Sequence, residues 1–113
     1  MTVFKNFERQ VVEILVKPHI PLDQLKTVLD DTESVSFEDY ASAGYFITVH
    51  HPSLPSSRIV CDKPLVIGKF KDVQCGFVVF LENGELTLEC HSWGLMDIPI
   101  NFRENAVEIE VIH

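Results

Sequence analysis

The sequence predicts an α+β fold, with an N-terminal helical pair packed on one face of an antiparallel sheet of about five or six strands. Three observations carry this expectation. Apolar residues recur at helical spacing only before Glu33. Beyond that point the period changes to alternation and no helical stripe returns between the strand-like runs, which excludes a βαβ succession and its parallel sheet. An Asn83-Gly84 dipeptide between two β-rich runs marks a tight hairpin.

The first helix rests on Phe4, Phe7, Val11, Ile14 and Leu15, with Lys5, Glu8, Arg9 and Glu13 read onto the polar side. Thr2 is suited to cap its start, and Pro18 to stop it. Pro21 suits a helix start, and Leu22, Leu25, Val28 and Leu29 form the next apolar stripe. The short link between the two stripes predicts an antiparallel pair.

Val35 and Phe37 then alternate with polar neighbours, as do Tyr45, Ile47 and Val49 after Gly44. His51-Pro52-Ser53-Leu54-Pro55-Ser56-Ser57 reads as a loop, followed by strand-like runs at Arg58–Cys61 and Leu65–Phe70. Within the hairpin Phe77–Trp93, a two-residue turn pairs Leu81 with Leu86, Val79 with Leu88 and Phe77 with Cys90, which makes that face the core face. The opposite face pairs Glu82 with Glu85, Phe80 with Thr87 and Val78 with Glu89. Like charges across a ladder are unfavourable, so Glu82 and Glu85 are in local conflict. Val78 and Phe80 are expected to be covered by a helix or another strand. Val107, Ile109 and Val111, alternating with Glu108 and Glu110, give a last strand with one wet face. Residues 1–113 read as a single domain with one core.

Composition narrows the function classes. The longest apolar runs, such as Phe77–Leu81, are far too short to span a bilayer, and the N-terminus lacks the pattern of a signal peptide. Three widely spaced cysteines, Cys61, Cys75 and Cys90, suit free thiols in a reducing cytoplasm better than a disulfide framework. A net charge of −8 argues against nucleic acid and anionic membranes as partners. Residues 27–57 and 72–102 contain ten of the 17 acidic residues and none of the nine Lys and Arg.

No catalytic, cofactor or metal motif is legible, and the chain reads as a non-enzyme. His50 and His51 point to opposite faces if they lie on one strand, so they are read as exposed strand-end residues and not as a metal pair. Cys90 and His91 are divided in the same way and make no nucleophile–base pair. Ser92 lies outside any Gly-x-Ser-x-Gly elbow. Acidic segregation points instead to a docking surface for a basic protein partner, formed by Asp30, Asp31, Glu33, Glu38, Asp39, Glu82 and Glu85, with Trp93 as an aromatic anchor. Asp30 and Asp31 fall at a helix C-terminus, where negative charge is unfavourable, so local stability does not call for them.

The segments Phe4…Phe7-Glu8…Val11…Ile14-Leu15, Pro21-Leu22…Leu25, Ala43-Gly44-Tyr45-Phe46 and Gly76-Phe77-Val78-Val79-Phe80-Leu81-Glu82-Asn83-Gly84…Leu86…Leu88-Glu89 together resemble a group of short bacterial proteins of unassigned activity. In that group a helical N-terminus precedes a Gly-Phe-Phe strand and a Gly-Phe hairpin. The chain departs from it at Cys90-His91-Ser92-Trp93-Gly94, where a Gly-Tyr motif is expected, and the resemblance brings no catalytic residues with it. In physical type the chain is similar to immunity proteins of bacterial toxin systems, small acidic proteins that neutralise a basic, often nuclease, toxin by binding it. The alternative reading is a small-ligand-binding domain or an enzyme with a pocket between helices and sheet. A homodimer would require a large apolar patch facing its own copy.

Overall fold

The computed structural model describes residues 4–31, 34–39, 44–93, 98–99 and 102–112. Two helices, α1 (Asn6–Val16) and α2 (Leu22–Asp30), precede seven strands. These are β1 (Ser34–Asp39), β2 (Gly44–His50), β3 (Ile59–Cys61), β4 (Leu65–Phe70), β5 (Val73–Glu82), β6 (Glu85–Ser92) and β7 (Glu108–Ile112), with a 3-10 turn at Phe102–Glu104. The strands form one antiparallel sheet in the order β1-β2-β6-β5-β4-β7, with β3 beside β5. The α+β architecture is the expected one, and the strand number exceeds the expected five or six. Each of the seven falls on one of the strand-like runs read from the sequence, and β5, ten residues long, takes two short neighbours. β3 pairs with its Val79–Leu81 half and β4 with its Val73–Gly76 half, separated by Asp62-Lys63-Pro64.

The β5–β6 hairpin has the predicted register throughout, from Phe77↔Cys90 to Glu82↔Glu85. Asn83 and Gly84 both adopt positive φ, 54° and 74°, the geometry that matches the twist of the flanking strands. Strand alternation then sorts the side chains. Phe77, Val79, Leu81, Leu86, Leu88, Cys90, Tyr45, Ile47 and Val49 face the helices and are buried. They close over Val11, Val12, Leu15 and Val16 of α1 and Leu25, Val28 and Leu29 of α2 in one apolar core. Leu22, expected in the α2 stripe, is exposed instead, at the first position of the helix and on the rim of an open hollow beside β7. Arg9 in α1 meets Asp30 at the last residue of α2, 2.7 Å between Nη1 and Oδ1, as an antiparallel pair requires.

Thr2 lies outside the described residues. The start of α1 is held by Glu8, whose Oε1 accepts the Lys5 backbone N–H at 2.8 Å. His51, read as an exposed strand-end residue, is buried. The reason is that its loop folds back on the hairpin turn: Asn83 N–H donates to Ser56 O, Gly84 N–H to Pro55 O, and His51 N–H to Gly84 O. His51 Nδ1 also accepts from Ser53 N–H, which ties the loop to itself.

Both helices lie on one face of the sheet. Val78 and Phe80 therefore do not receive the cover expected for them among the described elements, and both are half-buried on the open face. Gly68 of β4 faces the core opposite Cys75, where a Cβ would lie 2.8 Å from Cys75 Sγ and 3.0 Å from the Phe77 ring. Neither neighbour is a flexible surface group, so Gly68→Ala is expected to destabilise the fold by about 1–3 kcal/mol. Urea unfolding checks this as a lower midpoint at unchanged slope.

Candidate functional site

The most concentrated polar chemistry is a buried carboxylate. Glu8, read onto the polar side of α1, is fully buried (0% exposed), and this corrects that expectation. Its position is one turn from Phe4, Val11 and Val12 and two from Leu15, so the helix carries it into the core. Each oxygen takes two donors there. Oε1 accepts the Lys5 N–H and Arg103 Nη2 at 2.8 Å each. Oε2 accepts Tyr45 O–H at 2.6 Å and Arg103 Nε at 2.7 Å. The guanidinium also lies over the rings of Phe37 (5.2 Å) and Tyr45 (5.6 Å), which stack on each other. Burial works against the charge on Arg103, and its hydrogen bonds to Glu8 together with the Glu8 charge outweigh this and raise its pKa. The Tyr45 phenol is pushed up by burial first and then by Cys90 and Glu8.

A carboxylate has about four lone-pair sites, and all four are filled. Glu8 therefore has no free acceptor and no access for a substrate proton, which makes the cluster a tie between elements and not a general base. Nothing in the local sequence pairs Glu8 with Arg103, 95 residues away.

The cysteines are equally withdrawn. All three are buried and unbridged. The Cys90 thiol is pushed up by its hydrogen bond to Cys75 and by burial, and the Cys61 thiol by burial to about 11. His91 lies on the face opposite Cys90, packed against Gly76, where a Cβ would be 2.7 Å from its Nε2. Among the described residues, no three His, Cys, Asp or Glu side chains are grouped to hold a metal ion. An apolar hollow of about 390 Å³ between the helices and β7, lined by Ile14, Leu22, Ile109 and Val111, is open to solvent.

The open sheet face has a different character. Glu82, Glu85, Glu89, Glu108 and Glu110 share it by register with Val78, Phe80, Val60, Leu65 and Ile112. Val60, Leu65 and Ile112 are exposed. Lys69, 2.9 Å from Glu110, shares these strand positions, as do two imidazoles, His50 opposite Glu85 and His91 with its Nδ1 3.7 Å from Glu89. At the hairpin end Arg58 reaches in from the preceding loop, 3.0 Å from Glu82 and 5.6 Å above the Phe80 ring. With Glu85 and Thr87 these residues line an open hollow of about 320 Å³. Glu85 faces His50 across the β2–β6 ladder.

The predicted docking residues divide between the two ends of the sheet. Glu82 and Glu85 flank the hairpin turn, and Asp31 is brought to the same end, 3.8 Å from His51 Nε2. Asp30, beside it, is neutralised by Arg9, whose hydrogen bond lowers the carboxyl pKa. The backbone of Glu38 and Asp39 lies at the other end, paired with Phe46 and Tyr45. Trp93 is there too, 46% exposed, its N–H donating to Gln74 O. At about 3.3 Å per residue, Trp93 is roughly 26 Å from Glu85. Glu33 lies outside the described residues. The base-free stretches of sequence are thus not base-free in space, because Arg9 and Arg58 enter from outside them.

No known protein family, curated protein or solved structure matches this chain. Among the described residues, no helix is long and apolar enough to cross a membrane.

Two outcomes follow from the buried groups. Arg103→Ala leaves the Glu8 carboxylate buried without its main partner and is expected to cost about 3–5 kcal/mol in urea unfolding, with Arg103→Lys recovering only part because it cannot make the two-pronged contact. The thiols should resist a disulfide reagent in the native protein at mildly alkaline pH, and all three should react once denaturant is added. Rapid labelling of the native chain would contradict their burial.

Proposed function

We propose that the chain is an immunity-type protein, without enzymatic activity of its own, that binds and neutralises a basic toxin domain through the open face of its sheet. The observation that carries this reading is the composition of that face. Five carboxylates lie there among exposed and half-buried apolar side chains, against Lys69 and the intruding Arg58. Uncovered apolar area supplies contact, and the negative field supplies steering and selects a positively charged partner. Glu82 and Glu85 belong to this surface, and Trp93 extends it at the far end. Asp31 lies near its hairpin end from the helix layer and contributes to the field, whereas Asp30 is paired with Arg9. The resemblance to short bacterial proteins and the overall acidity fit the same reading.

The alternative of a ligand-binding domain or enzyme draws less support. The space between helices and sheet is filled by residues such as Val12, Leu15, Val79 and Leu88, all at 0% exposure. The buried titratable groups near it are either saturated, as Glu8 is, or pushed towards the neutral form, as the Cys61 and Cys90 thiols are.

Affinity capture from the cell that encodes the chain tests the proposal, with a Glu89→Lys/Glu108→Lys variant and an Asp30→Asn/Asp31→Asn variant as comparators. The expected result is stoichiometric retention of a basic protein. Its affinity should fall on the order of tenfold or more in the first variant, fall less in the second, and decline with salt. An acidic partner, or a basic one indifferent to the first variant, would reject the docking face.

A further inference from the structure

The hollow at the hairpin end combines features that recognise one kind of side chain. Phe80 offers a half-buried aromatic surface on the open face. Glu82 and Glu85 oppose each other across the ladder, an arrangement that repels itself unless a cation lies between. Thr87, directly opposite Phe80, forms the wall, its hydroxyl hydrogen-bonded to that of Thr48 at 2.9 Å. A planar guanidinium satisfies such a set better than an ammonium, because it stacks on the ring while its fork of N–H donors reaches the carboxylates. The chain's own Arg58 illustrates the match, with its guanidinium over Phe80 and bonded to Glu82. That contact is weakly held. The Arg58 side chain is 59% exposed and that of Glu82 45%, and exposed pairs of this kind contribute little. Glu85 is exposed and faces His50 across the β2–β6 ladder.

We propose that this hollow is an arginine subsite: one arginine of the basic partner takes the place of Arg58, its guanidinium against Phe80 and between the carboxylates of Glu82 and Glu85. The subsite rests on the docking face proposed above and names the side chain that the face selects. Arg58 is then an internal competitor, released when the partner binds.

Hexaarginine and hexalysine peptides carry the same charge, so comparing them separates guanidinium recognition from general attraction to an acidic surface. Hexaarginine should bind the intact chain more tightly, with the largest backbone amide shifts at Phe80, Glu82, Glu85 and Thr87. Phe80→Leu should weaken hexaarginine roughly two- to fivefold and hexalysine less. Glu85→Gln should weaken both. Arg58→Ala should raise the preference for hexaarginine over hexalysine, which loss of one positive charge alone does not do. Glu85 and Arg58 are exposed, so these two variants carry the test if Phe80→Leu fails to fold. Equal affinities for the two peptides, or shifts centred on Glu104, Glu108 and Glu110, would overturn the subsite. A captured partner that is lost with Glu89→Lys/Glu108→Lys but indifferent to Glu85→Gln and Phe80→Leu also overturns the subsite while sparing the docking face. Arginine-selective binding in a cell that yields no basic partner supports the subsite and removes the immunity reading.

Discussion

A carboxylate in an apolar core is expensive unless every lone pair is used, and Glu8 meets that condition by gathering donors from three places in the chain. The Lys5 N–H belongs to the start of α1, the Tyr45 hydroxyl to β2, and the guanidinium to the turn that precedes β7. These contacts fix the rotation of α1 about its axis, since no other setting places Glu8 against both Tyr45 and Arg103. They also bring the Phe102–Glu104 turn back to the start of the chain, where Phe102 meets Phe7 edge-on at 6.3 Å. With α1 set in this way, the residues one and two turns on, Val11, Val12 and Leu15, meet the inner face of the sheet. The ion pair contributes less net stability than its short distances suggest, because desolvation offsets much of the attraction. Its effect is chiefly to specify one docking of the helix layer.

That docking has a consequence on the far side of the molecule. Two helices of 11 and 9 residues are committed to one face, and the hairpin's outer positions receive no helical cover. Alternation places Val78 and Phe80 there, flanked by Glu89, Thr87 and the Glu82/Glu85 pair. The asymmetry is thus built in two steps: a polar tie holds the helices inward, and strand periodicity then delivers a mixed acidic and apolar outer face.

How much of this was legible follows from the range of the interactions. The hairpin register was readable to the residue because a two-residue turn and strict alternation are local constraints that agree. Strand positions were readable for the same reason, although their order in the sheet was not, since nothing local says that β5 accepts β3 and β4 end to end. Glu8 was misplaced because it was assigned by polarity. Its helical position, with Phe4, Val11, Val12 and Leu15 around it, did mark it as inward-facing and was the available signal. Its partner was not available, because Arg103 is close only through the complete fold. The charge pattern misled in the opposite direction. Acids that are far from any base in sequence acquire Arg9 and Arg58 in space, so a linear window overstates the negative surface around Asp30 and Glu82. His51 was likewise read from its loop composition, whereas its burial depends on the loop meeting the Asn83-Gly84 turn.

A simpler account of the open face is that its charges only prevent self-association. That account suits β7, an edge strand whose outward Glu108 and Glu110 discourage pairing with another chain. It does not suit the hairpin. β5 and β6 are interior strands, flanked by β2 on one side and by β3 and β4 on the other, so charges there protect little free edge. Facing Glu82 with Glu85 also works against the ladder. Solubility would be served as well by placing these acids anywhere on the exposed surface, without the mutual repulsion. An arrangement that weakens the turn locally and sets two carboxylates beside a half-buried aromatic is instead what a cation-accepting surface requires. The costs are small, a few tenths of a kcal/mol to about 1 kcal/mol for a cross-strand pair. They are within what a fold anchored elsewhere by its core and by Glu8 can carry.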